Sequence, residues 1–159
     1  MDPLVWPVIF PEGAKTMTTV RDLMTTSVET VRPEQTAKDA AGFMLSADTG
    51  SIPVCDGDTV IGMITDRDIA VRGIAEGKGP DCTVRELMSS DIICARETDD
   101  AESVAERMSD AQVRRLPVLD ESNKLVGMIS LGDLARETSG ESAHVALEGV
   151  SASGSRHQQ

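Results

Sequence analysis

From residue 37 the apolar positions recur at i, i+3, i+4 and i+7: Ala37, Ala40, Ala41, Met44 and Ala47. Ala101, Val104, Ala105, Met108 and Ala111 repeat the same steps. That spacing puts each set on one face of a helix, so two amphipathic helices are predicted. Thr36 and Asp100 stand immediately ahead of them, where an oxygen-bearing side chain can accept from an orphan helical N–H. After each helix the pattern changes to short apolar runs. Segments 51–55 and 59–64, turned by Asp56-Gly57, read as a hairpin, and segments 115–119 and 124–129, turned by the polar 120–123, read as a second. A short helix precedes each set (20–24 and 84–88), followed by a brief extended piece (28–31 and 92–95). A last helix starts near Asp66 and another near Leu131. The order β-α-β-β-α, met twice, predicts an α/β (α+β) fold in which a small mixed sheet is covered by helices.

The two sets are copies of one unit. VRDLMTTSV at 20–28 returns as VRELMSSDI at 84–92, IPV at 52–54 as LPV at 116–118, and IGMITDRDIA at 61–70 as VGMISLGDLA at 126–135. The offset is 64 residues through the second block and 65 at the third, so a single residue has entered the turn between two strands, where length changes cost least. The expected layout is an extension at 1–16, a first domain at 17–76, a linker at 77–82, a second domain at 83–138 and a tail at 139–159. Glycine and proline in GIAEGKGPD at 73–81 stop the preceding helix. The tail, rich in Ser and Gly and without periodicity, reads as mostly disordered. Met17 directly precedes the repeat and is the expected native start. A unit of about 55 residues buries too little surface to be safely stable alone. The copies are expected to bury their Ala- and Met-lined faces against each other, pack sheet to sheet, and leave a cleft where the sheets meet.

Charge and composition narrow the function. Lys and Arg number 15 against 27 Asp and Glu, a formal net charge of -12. A surface of that sign does not attract nucleic acid or an anionic membrane. With one Trp, two Phe and no Tyr, the core must be built from aliphatic residues and Met. Cys55, Cys82 and Cys94 lack C-x-x-C spacing, and His144 and His157 both fall in the tail. A metal site is therefore not expected, and buried or half-buried thiols in a reducing cytoplasm are. No apolar run approaches the ~20 residues that span a bilayer. The stretch 4–10 (LVWPVIF) has no basic residue before it and contains Pro, so it does not read as a signal peptide. The ordered part of the repeat holds no His, no phosphate-cradling loop, and no Cys with a predicted basic partner. No enzyme is expected from these parts.

What remains is a shared motif at the end of each copy: GMITDRD at 62–68 and GMISLGD at 127–133. A strand ends, a hydroxyl follows, and a carboxylate comes three residues later. Thr65 with Asp68 and Ser130 with Asp133 fit a capping box. The same groups at a helix start also suit a ribose diol beside a phosphate. The two readings are compatible.

The paired G-h-h-[ST]-x-x-D segments, each preceded by an h-P-V strand and an Ala-rich helix, resemble tandem CBS domains, the Bateman module. The resemblance covers 18–137, and TDRDIAVRG at 65–73 is similar to small stand-alone bacterial two-domain members, including actinobacterial stress-response proteins. It implies a non-catalytic regulatory module with no cofactor, a bound AMP, ADP, ATP or related adenosine ligand, a homodimer, and an unidentified regulated protein. Carried over by position, Thr65 with Asp68 and Ser130 with Asp133 would meet ribose and phosphate. Adenine would lie against Val28 with Ile52 and Pro53, or Ile92 with Leu116 and Pro117. Core packing is an alternative role for each of these apolar residues. Arg67 gives the first site a cation where the second has Gly132, while Arg114 and Arg115 could supply charge to the second site or across the cleft, or form a solvated strand edge. Asp48 and Gln112 occupy helix positions where relatives sometimes offer a basic residue, which argues against tight triphosphate binding. The expectation is one nucleotide per chain, mainly at Thr65 and Asp68. A ligand-free dimeric scaffold, its motifs serving only as caps, is the competing reading.

Overall fold

The computed structural model describes residues 17–137. The extension at 1–16, the tail from 139 and both histidines lie outside them. In chain order the elements are α1 (Val20–Leu23), α2 (Ala37–Ala47), β1 (Ser51–Asp56), β2 (Thr59–Thr65) and α3 (Asp66–Asp68). The chain continues from α3 into a π-helical stretch, Ile69–Ile74. The second copy supplies α4 (Val84–Leu87), β3 (Ala95–Arg96), α5 (Ala101–Ala111), β4 (Arg115–Leu119), β5 (Leu125–Ser130) and α6 (Leu131–Glu137).

Both long helices begin at the predicted caps. Thr36 Oγ1 accepts from the Asp39 N–H, and Asp100 Oδ2 from the Ser103 N–H. They end on Asp48 (φ 50°) and Gln112 (φ 55°), equivalent residues in the left-handed conformation that stops a helix. β1 and β2 form an antiparallel hairpin, and β3, β4 and β5 form a three-stranded sheet with β3 parallel to β4. The first copy's extended piece makes no strand. Val31 alone bridges Val54, with its N–H donating to Pro53 O (3.1 Å) and its carbonyl accepting from the Cys55 N–H (2.9 Å). Each hairpin carries a register irregularity at the equivalent step, Val54/Cys55 and Val118/Leu119.

The helical stripes are narrower than the spacing implied. Ala37, Ala40 and Met44 are buried, as are Ala101, Val104, Ala105 and Met108. Ala41, Ala47 and Ala111 are exposed, because alanine loses little by facing water and does not mark a core face by itself. Nor do the Ala- and Met-lined faces meet each other, for Ala40 and Met44 belong to one core and Ala105 and Met108 to the other.

The copies are joined by exchange of their leading helices. Val84 and Leu87, fully buried, complete the core of Val31, Ile52, Val54 and Ile64. Val20 completes the core of Leu116, Val118, Ile129 and Leu134. The backbone repeats the exchange. Ser89 and Met63 each donate to the other's carbonyl at 2.9 Å, and Thr25 and Met128 do the same. This crossing explains the glycine of both GMI motifs. A Cβ on Gly62 would stand 2.6 Å from Ser89 O, and one on Gly127 2.8 Å from Thr25 O. Gly62→Ala is therefore expected to destabilise the protein by about 1–3 kcal/mol, as overpacking against backbone does. Urea unfolding measures it, and an unchanged midpoint would contradict the close approach.

Candidate functional site

Each repeat motif ends as a strand running straight into a helix start, and both hydroxyl–acid pairs close capping boxes. At α6, Asp133 Oδ2 accepts from the Ser130 N–H (2.9 Å) and from Ser130 Oγ (2.8 Å), while the Asp133 N–H donates to Ser130 Oγ (3.1 Å). At α3, Asp68 Oδ2 accepts from the Thr65 N–H (3.0 Å) and the Asp68 N–H donates to Thr65 Oγ1 (3.0 Å). All four residues are half-buried. Because the capping bonds use Oδ2, Asp133 Oδ1 is left for another donor.

The surroundings of the two pairs differ. Ser130 and Asp133 line a cleft of about 130 Å³ together with Val28, Pro53, Arg115 and Met128. The cleft is built across the repeat. The first copy supplies Thr25, Ser27, Val28 and Glu29 from the piece after α1, and Ala47, Thr49, Ser51 and Pro53 from α2 and β1. The second copy supplies the starts of β4 and α6. Arg115 faces Ser130 in the β4–β5 register, so both side chains leave the same sheet face about 5 Å apart. The guanidinium of Arg115 has no hydrogen bond or ion pair among the described residues. Ser51 Oγ, shielded from solvent, is without a hydrogen-bond partner. A second cavity of about 190 Å³ shares the Val28 wall and includes Thr30, Cys55, Asp58 and Gly127.

Neither cavity is lined by Thr65, Arg67, Asp68, Ile92, Leu116 or Pro117. The pair expected to dominate, Thr65 with Asp68, has its carboxylate 3.9 Å from Arg72 Nε, and Arg67 is exposed. Ile52 and Leu116 are 1% exposed and belong to the cores, so only their backbones could border a ligand. Pro53 and Pro117 are buried, and Val28 and Ile92 half-buried. Of the two pairs, the second is the one that lines a described cavity. Glu29, Thr49 and Ser51 were not singled out by sequence. Ser51 was within reach of the repeat alignment, being the counterpart of Arg115.

The three cysteines are free thiols. Burial pushes the Cys55 thiol above its ordinary range, with Asp58 adding to it. Burial also raises Cys94, against the opposing pull of Arg96 and Arg107. Neither is an activated nucleophile. Among the described residues no group of three or more His, Cys, Asp or Glu is placed to hold a metal ion, and no helix is long and apolar enough to cross a membrane.

Comparison with known proteins follows the same lines. The family model for the CBS domain matches residues 20–72 and again 84–140. CBS domain-containing protein YhcV of Bacillus subtilis is 43% identical over 136 residues, covering 85% of this chain and 96% of that protein. The crystal structure of Hypoxic Response Protein I with two coordinated zinc ions superposes with a TM-score of 0.70 at 37% identity, covering 77% of this chain and all of that one; by sequence, Hypoxic response protein 1 of Mycobacterium tuberculosis is 38% identical over 122 residues, covering 76% of this chain and 85% of that protein. CBSX2 in complex with AMP superposes with a TM-score of 0.66 at 28% identity, covering 74% of this chain and 93% of that one.

Proposed function

The chain belongs to the CBS domain family, and from that premise we propose that it is a non-catalytic cytoplasmic sensor that binds an adenosine-type nucleotide in the cleft at the start of α6. The observation that carries this reading is the convergence in one cleft of a ribose-competent pair, an apolar wall and a cation without a partner among the described residues. Asp133 Oδ1 accepts from the ribose hydroxyls. The base lies along Val28 and Pro53, and Arg115 faces the phosphate. One nucleotide binds per chain. AMP bound to CBSX2 is the reason for taking AMP as the first ligand to test. Binding across two copies favours one relative arrangement of them, by the ligand's differential affinity of about 1–3 kcal/mol, and a regulated partner reads that arrangement. A thermal-shift assay tests the reading. AMP at one hundred times its Kd is expected to add about 2.7 kcal/mol to the folded state, whereas no shift with any adenosine compound would refute it.

The homodimer belongs to the same proposal. Exposed helical apolar residues cluster on the first copy: Leu45 is 84% exposed, Ile74 73% and Val71 47%. Their second-copy counterparts at 109 and 136 are Ser109 and Arg136. Two chains pair through the first-copy face, whose exposed apolar side chains leave water on pairing. Leu45→Glu with Ile74→Glu is expected to halve the mass found by light scattering, and a monomeric parent chain would contradict the pairing.

A scaffold that binds no ligand remains the second reading, favoured by one observation: the hydroxyl–acid pairs of both motifs are engaged with each other in capping boxes. The thermal-shift assay separates the two.

A further inference from the structure

We propose that the cleft selects adenosine ligands carrying no more than one phosphate, with Arg115 as the residue that reads it. The inference rests on the cleft being an adenosine site, and concerns which member of that class it accepts.

The charges in the lining are few. Among the described residues Arg115 is the one cation, set against the carboxylates of Glu29 and Asp133. Asp133 is occupied with Ser130 and the ribose. Arg115 stands beside Ser130 in register, one sugar-to-phosphate step away, and its guanidinium is unengaged among the described residues. A planar fork of that kind can take two phosphate oxygens at once. Ser51 lines the same cleft, and rotation about its Cα–Cβ bond would turn the shielded, unpartnered Oγ toward a phosphate oxygen that satisfies it. One phosphate therefore finds a cation and a hydroxyl.

A second and a third phosphate find no further cation among the described residues of the lining. The other charges of that lining are the carboxylates of Asp133 and the exposed Glu29, within a chain of net charge -12. Each adds negative charge without meeting another cation, and like charges at this range repel. Lys124, a cation of the neighbouring β5 hairpin, lies 3.7 Å from Asp58 and lines neither cavity.

Isothermal titration of the full chain with adenosine, AMP, ADP and ATP, at low salt and with ATP tested with and without magnesium, decides the matter. AMP is expected to bind at least tenfold tighter than ATP, with ADP between, and about tenfold tighter than adenosine. Arg115→Ala is expected to bring AMP down to the adenosine level, and Glu29→Gln to narrow the AMP–ATP gap. Both positions are exposed, so neither change threatens the fold. Raising the salt should shrink the gap, because exposed charges are screened. ATP binding as tightly as AMP, or AMP affinity unmoved by Arg115→Ala, would overturn the inference while leaving the adenosine reading in place. No binding by any of the four compounds would overturn both.

Discussion

Asp133→Ala is expected to weaken AMP binding by about 30- to 150-fold, the loss of roughly 2–3 kcal/mol that follows when a charged acceptor is removed from hydrogen-bonded partners. The same change takes away half of the α6 capping box, so stability should also fall by about 1 kcal/mol, the usual worth of a cap. Asp133→Asn separates the two effects. The amide keeps an acceptor for the Ser130 N–H, so the melting temperature should stay close to that of the parent chain. It has no charge with which to hold the ribose diol, so AMP affinity should still fall by about tenfold. The symmetric control is Asp68→Ala. Asp68 makes the same cap bonds at α3 but lines neither cavity. Its loss should lower stability and leave AMP affinity within about a factor of two. Calorimetric titration of the three variants reads all of this. Equal losses at Asp68 and Asp133 would mean two equivalent sites, and no loss at Asp133 would reduce the motif to a cap.

Leu87→Ala is expected to destabilise the whole protein by about 3 kcal/mol, within the range of about 2–5 for a buried leucine. Leu87 is fully buried in the core whose other members come mostly from the first copy. Since each core is completed by the other copy's leading helix, neither can open alone without exposing its partner's apolar surface. Urea unfolding should therefore remain one cooperative transition, shifted as a whole. A variant in which half of the signal is lost early would contradict the exchange. Val20, which completes the other core, should behave in the same way when truncated.

The sequence carried most of the local structure and little of the long-range arrangement. The repeat, both hairpins and the caps Thr36 and Asp100 were legible because capping, turn chemistry and helical periodicity act over a few residues. The exchange of α1 and α4 was not, since VRDLM and VREL look the same whichever core they enter. The stripes were overread at Ala41, Ala47 and Ala111, residues small enough to sit on either side of a helix. The motif residues were found because a hydroxyl three positions before an acid at a helix start is a local signal. Which pair lines the described cleft was not legible, because it depends on which neighbours close around each. Arg67 looked like the useful cation by adjacency to Asp68. The side chain that reaches the lined cleft is Arg115, brought there by strand register with Ser130. The glycines at 62 and 127 belong with these, since their reason is a crossing backbone from the other copy.

A crystal structure of the chain grown with AMP tests the central claim most directly. The account requires one nucleotide per chain, with ribose oxygens within about 3 Å of Asp133 Oδ1, a normal hydrogen-bond distance, the base against Val28 and Pro53, and the phosphate on Arg115. Nucleotide found instead at Thr65 and Asp68, or an empty cleft at saturating AMP, would contradict it.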